Sequence, residues 1–373
     1  MWKLVPVVAI SLALALFSDL FSRKDPMKNR YVYQEKFLWI FIIVTMALFA
    51  GLRTNYNDTF SYMNSYELTS CDINLANIDW NFGNNPGYSL VQNIFKHFGF
   101  TVNAYLLFYS IITYSIYIWF IHKYSSDFLM SIFLFICLVF TFPMAALKQC
   151  AAVAFCLVAV DKAINKKWFW FIFWIFIAET FHAYSFMYII VPLLFFVPWQ
   201  DKRTIYWVLI FLVSGLMLKP LLGTVLNITD MLGDEYTVDS FSGEGVNPLR
   251  VLVCLVPLVM SFILRKKVNS PEYEVTRAEG LCMNLSFLNG EIMFVGLFGT
   301  ANYFARLANY FYIFPIIALP RLFNMVTPKW RVPMKVAVVV CYFFFFYYSE
   351  YIVYGHFDNR FRSIPFSEFQ LFV

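Results

Sequence analysis

Four polar groupings in this sequence have the residue types that hold an anion or move a proton. The first is Arg53, followed by Asp58, Tyr62 and Tyr66, the last three at four-residue spacing. On a helix running from 53 to 66 that spacing puts all three on one face. An arginine beside an acid and two tyrosines suits a phosphate-bearing sugar. The same arginine can equally snorkel to a membrane boundary beside an aromatic belt. The second grouping is Lys148-Gln149, just after the turn at Pro143 and at the head of a segment dense in alanine. Lys148 is either a phosphate ligand or a cap on the membrane boundary, and the alanines favour close helix packing.

The third grouping is Glu179 and His182, in Ala178-Glu-Thr-Phe-His-Ala-Tyr-Ser185. If the helix continues, the three-residue spacing puts both on one face. A carboxylate can orient an imidazole and raise its basicity for general-base work, or the pair can lock two helices. The fourth is the stripe Asn302, Arg306 and Asn309, entering an apolar run, where a lone arginine needs a partner or an anion. Ionisable groups inside a membrane cost roughly 2.5–3.5 kcal/mol or more, which makes these four groupings the best pointers to a site. Lys219, Arg250, Glu291 and Glu350 lie near the ends of apolar runs and read as structural pairs; Asp358, Arg360 and Arg362 either reach the mouth of the site from the tail or are solvated tail charges.

Several chemistries are not expected. There is no His-Glu-x-x-His, no His/Cys cluster with metal spacing and no phosphate-binding glycine loop ending in Gly-Lys-Ser/Thr. Neither a metal nor a cofactor is therefore implied. The seven cysteines include no Cys-x-x-Cys, and only Cys71 falls in a long polar loop. The basic residues sit in short clusters between apolar runs, which gives nucleic acid no continuous footprint.

The elements that must position these groups are membrane helices. The composition is 61% apolar and only 14% charged, with 45 phenylalanines. Runs of about 20 apolar residues recur along the chain, the length that crosses a bilayer. They do not alternate, so they read as helices and not as barrel strands. The expected fold is an all-α integral membrane protein, a polytopic bundle of about twelve spans. These lie at roughly 2–21, 37–52, 102–121, 127–143, 145–163, 168–181, 183–199, 204–222, 248–264, 280–299, 304–322 and 334–352. Alternate loops hold 19 of the 28 lysines and arginines, which makes those loops cytoplasmic and puts both termini outside. The whole of 1–373 reads as one membrane domain, with long outer loops at about 53–101 and 223–247. The first contains an amphipathic stretch, Tyr88–Phe98, and the second is acidic.

Five pieces of sequence, in order, resemble the EpsG-type family of Wzy-like polysaccharide polymerases. They are Gly51-Leu-Arg-Thr-Asn-Tyr-Asn-Asp-Thr-Phe-Ser-Tyr62, Pro86-Gly-Tyr-Ser89, Ala146-Leu-Lys-Gln-Cys-Ala151, Glu179-Thr-Phe-His-Ala-Tyr-Ser185 and Ala305-Arg-Leu-Ala-Asn-Tyr-Phe311. The family usually shows Arg-Gln where this chain has Lys148-Gln149, which keeps the charge but loses bidentate phosphate binding. The resemblance implies a GT-C-like membrane glycosyltransferase. It would join undecaprenyl-diphosphate-linked oligosaccharides into exopolysaccharide, capsule or O-antigen on the outer face of the bacterial cytoplasmic membrane. It also implies the flippase and chain-length regulator of such a pathway as candidate partners. In that role Arg53, Arg306 and Lys148 would bind the diphosphate, with Gln149, Tyr62, Asn302 and Asn309 around the substrate. His182, oriented by Glu179, would be the base, with Asp58 as its rival. A lipid-linked-sugar transporter or flippase, an acyltransferase and a glycan ligase are the alternative readings. The polar residues gather at outer span ends and not near the midplane, which favours surface chemistry over transport.

Overall fold

A computed structural model describes the chain apart from residues 25–30, 34, 74–77, 200–201, 211, 214–216, 218–244, 269–274 and 299–300. The described residues are mostly helical with almost no sheet, and they gather into two compact units. Unit one is Met1–Ile190 together with Val339–Val373, and unit two is Val191–Val338.

Unit one begins with α1 (Val5–Phe21), with a proline in its first turn, and α2 (Leu38–Gly51). Between them a small hairpin pairs β1 (Arg23–Lys24) with β2 (Tyr31–Tyr33). A short strand β3 (Arg53–Asn55) follows, then α3 (Thr59–Glu67) and α4 (Pro86–His97). Pro86 opens α4, and the left-handed Asn85 before it turns the chain into the helix. Three long elements follow: α5 (Val102–Tyr124), α6 (Phe128–Leu138) with the single turn α7 (Phe142–Ala145), and α8 (Leu147–Ile164). Thr101 and Asp127 cap α5 and α6 by accepting from the backbone N–H groups of Ala104 and Met130. The helix α9 (Trp168–Phe181) completes the first stretch of the unit.

Gly51 is required where α2 meets α5. A side chain there would put its first carbon 2.7 Å from the Cα of Leu107, so the two backbones touch. The core of unit one is aromatic. Tyr66, Tyr88, Tyr105 and Tyr109 are buried together with Leu106, Leu147 and Ala151. Each tyrosine ring meets another, as with Tyr66 and Tyr105 at 4.8 Å and Tyr88 and Tyr109 at 5.8 Å between centroids.

Unit two contains α10 (Val191–Phe195), α11 (Pro248–Ile263), α12 (Arg277–Val295), α13 (Ala301–Asn309) and α14 (Ile313–Met325). A capping box between Thr276 and Glu279 starts α12. The boundary between the units falls inside α15 (Pro328–Tyr347). A π-helical stretch, Tyr348–Val353, continues it, and the tail carries α16 (Phe357–Arg360) and β4 (Arg362–Ser363).

Four helices among the described residues are long and apolar enough to cross a bilayer: Trp2–Phe21, Val102–Tyr124, Phe128–Ala145 and Pro328–Val353. Five apolar helices are shorter. At roughly 1.5 Å per residue, the 14 residues of α2 reach about 21 Å, less than the ~30 Å hydrocarbon core. The expected span at 183–199 is a 3₁₀ helix, Ala183–Ile190, followed by the short α10. The expected span at 304–322 is broken by the turn between α13 and α14. Most of the expected span at 204–222, and nearly all of the acidic loop at 223–247, lie outside the described residues, as does Lys219. Large apolar side chains stay exposed on α1, α9 and α15, among them Leu20, Phe169, Ile172 and Phe344. A membrane protein presents such surfaces to lipid.

Candidate functional site

The first expected grouping comes together around Arg53, but not as a continuous helix. Residues 53–55 form β3, and α3 starts only at Thr59, with Asp58 as its N-cap. Tyr62 and Tyr66 are helical as expected, whereas Arg53 is held by a strand. That strand pairs antiparallel with β4, setting Arg53 opposite Ser363 and Asn55 opposite Arg362.

Arg53 is 0% exposed. Its Nη1 donates to the Ala50 carbonyl at 2.6 Å, and its Nε donates to Thr59 Oγ1 at 3.0 Å. Its Nη2 has no hydrogen-bond partner. No carboxylate among the described residues pairs with it. The groups in electrostatic reach are Tyr114, Tyr62, Cys150 and Tyr56. Burial pushes the guanidinium down to about 10, so it stays charged at neutral pH. A buried donor without a partner costs roughly 1–3 kcal/mol, and a buried cation without a counter-ion costs more.

Tyr62 links Arg53 to the second grouping. Its hydroxyl donates to the Ala145 carbonyl at 3.3 Å and accepts from the Leu147 N–H at 3.2 Å, at the start of α8. Burial pushes its phenol up, and Tyr88 and Asp58 lie close enough to add to that shift. Its ring meets the Tyr88 ring edge-on at 6.5 Å. Lys148 is the second residue of α8, and its Nζ stands 4.3 Å from the centroid of the Tyr88 ring. A cation in the first turn of an 18-residue helix faces the positive end of the helix dipole. An anion bound there would relieve that opposition. Gln149 beside it is buried.

Asp58 is exposed within electrostatic reach of the Tyr62 phenol, an open position for a proton acceptor. The third grouping is placed next to the others by α4. Gly87 lies so close to Thr180 that a side chain there would come within 2.3 Å of its hydroxyl. The end of α9 therefore abuts the start of the helix that carries Tyr88. The expected shared helical face of Glu179 and His182 does not form. The helix ends at Phe181, and His182 is already extended, its carbonyl accepting from the Ser185 N–H and hydroxyl. One carboxylate oxygen of Glu179, Oε2, is buried without a hydrogen bond.

The fourth grouping belongs to unit two. Arg306 is exposed there, and Asn309 is buried and accepts from Arg250 Nη2 at 3.0 Å. The side chain of Asn302 lies outside the described residues. Arg250, read from the sequence as a structural pair, is thus paired with a residue of the expected site. Glu291, also expected to pair, is buried with neither carboxylate oxygen hydrogen-bonded.

Sequence reasoning missed a network beneath the Arg53 loop. Glu350 is buried, and it accepts from Thr141 Oγ1 at 2.9 Å, Tyr56 OH at 3.2 Å and Arg360 Nη2 at 3.0 Å. Arg360 also donates to Asn57 Oδ1 at 2.8 Å and to the Gly355 carbonyl at 2.6 Å. A charge read as a tail residue is therefore the clamp on the loop between Arg53 and Asp58. Glu350 is the structural pair the sequence suggested, and its partner is Arg360 of the tail. Tyr88 was missed as well, although it stands within a quoted motif.

No characterised protein and no solved structure matches the chain. The EpsG family does match, over residues 36–367, from the entry to α2 through β3, α4, the Lys148 turn, the end of α9 and the Glu350 clamp. The chain belongs to the EpsG family, a Wzy-like polymerase family.

Proposed function

We propose that this protein is a membrane glycosyltransferase of GT-C-like type. It polymerises undecaprenyl-diphosphate-linked oligosaccharide repeats into exopolysaccharide, capsule or O-antigen. Family membership supports a polysaccharide polymerase. The observation that carries the site is Arg53, a buried guanidinium with a free N–H and, among the described residues, no acid, linked through Tyr62 to Lys148, which has no ion pair among them, at a helix start. Two such cations suit the diphosphate leaving group, whose charge grows as the glycosidic bond to it breaks. Tyr62, half-buried beside Arg53, supplies an aromatic face for a sugar ring, and the buried Tyr88 supports Lys148 from below. Asp58, exposed beside Tyr62, is placed to take the proton from the acceptor hydroxyl, and His182 and Glu179 at the neighbouring helix end are its rivals. Arg306 and Asn309 of unit two are further candidate diphosphate and sugar ligands. The loop charges favour the cytoplasmic membrane, with the Arg53 end facing out.

The test is the glycan profile of a strain lacking the gene. Single repeats should accumulate, and the wild-type gene should restore a ladder on a gel. A ladder of normal length in the deletion strain, or one restored equally by the Arg53→Ala and Lys148→Ala double variant, would overturn the assignment.

A further inference from the structure

A groove of about 700 Å³ runs along the lipid-facing side of α2, α5 and α8 in unit one, away from the tyrosine cluster. Trp39, Val44, Leu107, Ile111 and Trp119 form its walls, and Lys162 is the single charged residue on its lining. Leu107 and Trp119 are twelve residues apart on α5. That separation is roughly 18 Å along a helix, a little more than one leaflet of a ~30 Å hydrocarbon core.

The groove has a direction. At one end Gly51 lets α2 and α5 touch at Leu107. At the other, the rings of Trp39 and His122 stack 5.4 Å apart between the same two helices. The backbone contact closes the groove at Leu107, and Lys162 lies at its other end. That end is cationic. Asp161 pairs with Lys123 at 2.5 Å and with Lys162 at 3.5 Å, so one carboxylate faces two ammonium groups. Lys166 and Lys167 follow directly after α8. Trp39 and Trp119 line the groove with Lys162, and tryptophan is the residue that prefers the level of lipid headgroups.

We propose that this groove binds one acyl chain of an anionic phospholipid. The phosphate sits at Lys162 and the chain tip reaches Leu107. Net positive charge at the Lys162 end selects the headgroup, and the apolar walls accept the chain. A lipid-diphosphate substrate held at Arg53 would have its headgroup at the opposite end of unit one, so its tail would run against the polarity of this groove. The site stands whether or not the chain is a polymerase.

The test is native mass spectrometry of the full chain in detergent, with equal amounts of chain-matched phosphatidylglycerol and phosphatidylcholine. The wild type should retain one phosphatidylglycerol with roughly five-fold preference, the effect of one lysine near a headgroup. Lys162→Gln should remove the preference while still retaining a lipid. The double variant Val44→Trp and Ile111→Trp fills the groove from two half-exposed positions and should lose retention about ten-fold. Equal retention of both lipids by the wild type would overturn the proposal. Full retention by the filled variant, or displacement of phosphatidylglycerol by a polyprenyl phosphate, would do the same. A second measurement avoids dependence on the filled variant. Brominated phosphatidylglycerol should quench the wild-type fluorescence more than that of Trp39→Phe with Trp119→Phe, and equal quenching would overturn the proposal.

Discussion

The two ends of unit one treat their cations in opposite ways. At one end, Asp161 gathers Lys123, Lys162 and the Tyr124 hydroxyl, so a single buried acid accounts for two lysines and a phenol. At the other, among the described residues, Arg53 is fully buried with a free N–H and no acid, and Lys148 stands over a tyrosine ring without an ion pair. A protein shaped only for stability would have paired both ends. The contrast separates two lysines that share one acid from a guanidinium that has none among the described residues. Arg360 makes the same point within the Arg53 end. It has an acid, an amide and a carbonyl as partners, and it clamps a loop.

The largest expected effect concerns Arg53. Arg53→Met should lower polymer formation at least 100-fold while leaving the melting temperature unchanged or higher, because the substitution removes an uncompensated buried charge. Gel ladders and a thermal melt in detergent check both halves, and a large loss of stability with residual activity would erase the contrast. Asp161→Asn should do the reverse. It should cost roughly 1–3 kcal/mol of stability, less than a fully buried pair because Lys123 is half exposed, and leave the ladder intact. Lys148 comes next. Lys148→Ala should reduce polymer formation about ten-fold, and Lys148→Arg should at least match the wild type, since arginine adds a second bond to phosphate. A Lys148→Arg variant as weak as Lys148→Ala would show that the position does not contact an anion.

The smallest effect sharpens the role of the tail. Asp358 accepts from the backbone N–H groups of Trp2 and Lys3 at 2.9 and 3.0 Å. Partial burial opposes its ionisation, but the bonds from the N-terminal segment outweigh this and hold its carboxyl below the usual range. A carboxylate depressed in the folded state contributes stability above its unfolded value of about 3.9, and that stability is lost as pH falls through the folded value. Protease protection of residues 357–373 should therefore hold at neutral pH and weaken only below about pH 4. Asp358→Asn should remove that acid dependence.

Much of this was legible in the sequence, for local reasons. Apolar runs pointed to a helical membrane protein and found many of its helices, though not those at 183–199 and 304–322 as single spans, and the cost of burying charge drew attention to Arg53 and Lys148. The amphipathic stretch at 88–98 appears as α4. The failures are long-range or conformational. Arg53 leaves helical geometry because its strand pairs with residues about 310 positions later, and no local pattern reports such a partner. His182 drops off its helix where Ser185 captures its carbonyl, a competition that periodicity does not register. Glu350 and Arg360 looked like unrelated charges because their common target, the loop at Tyr56 and Asn57, is reached only in three dimensions.

The pairing of β3 with β4 also orders events in time. The strand that carries Arg53 is made about 310 residues before the strand that braces it, which comes with the Arg360 clamp. Nearly the whole chain, including all of unit two, emerges between them. Unit one is therefore completed only when β4 arrives, a long loop closure that slows it. A chain cut short by a stalled ribosome or a nick near position 350 would keep most of its helices and lack a braced Arg53. Incomplete copies would be held inactive by their own topology.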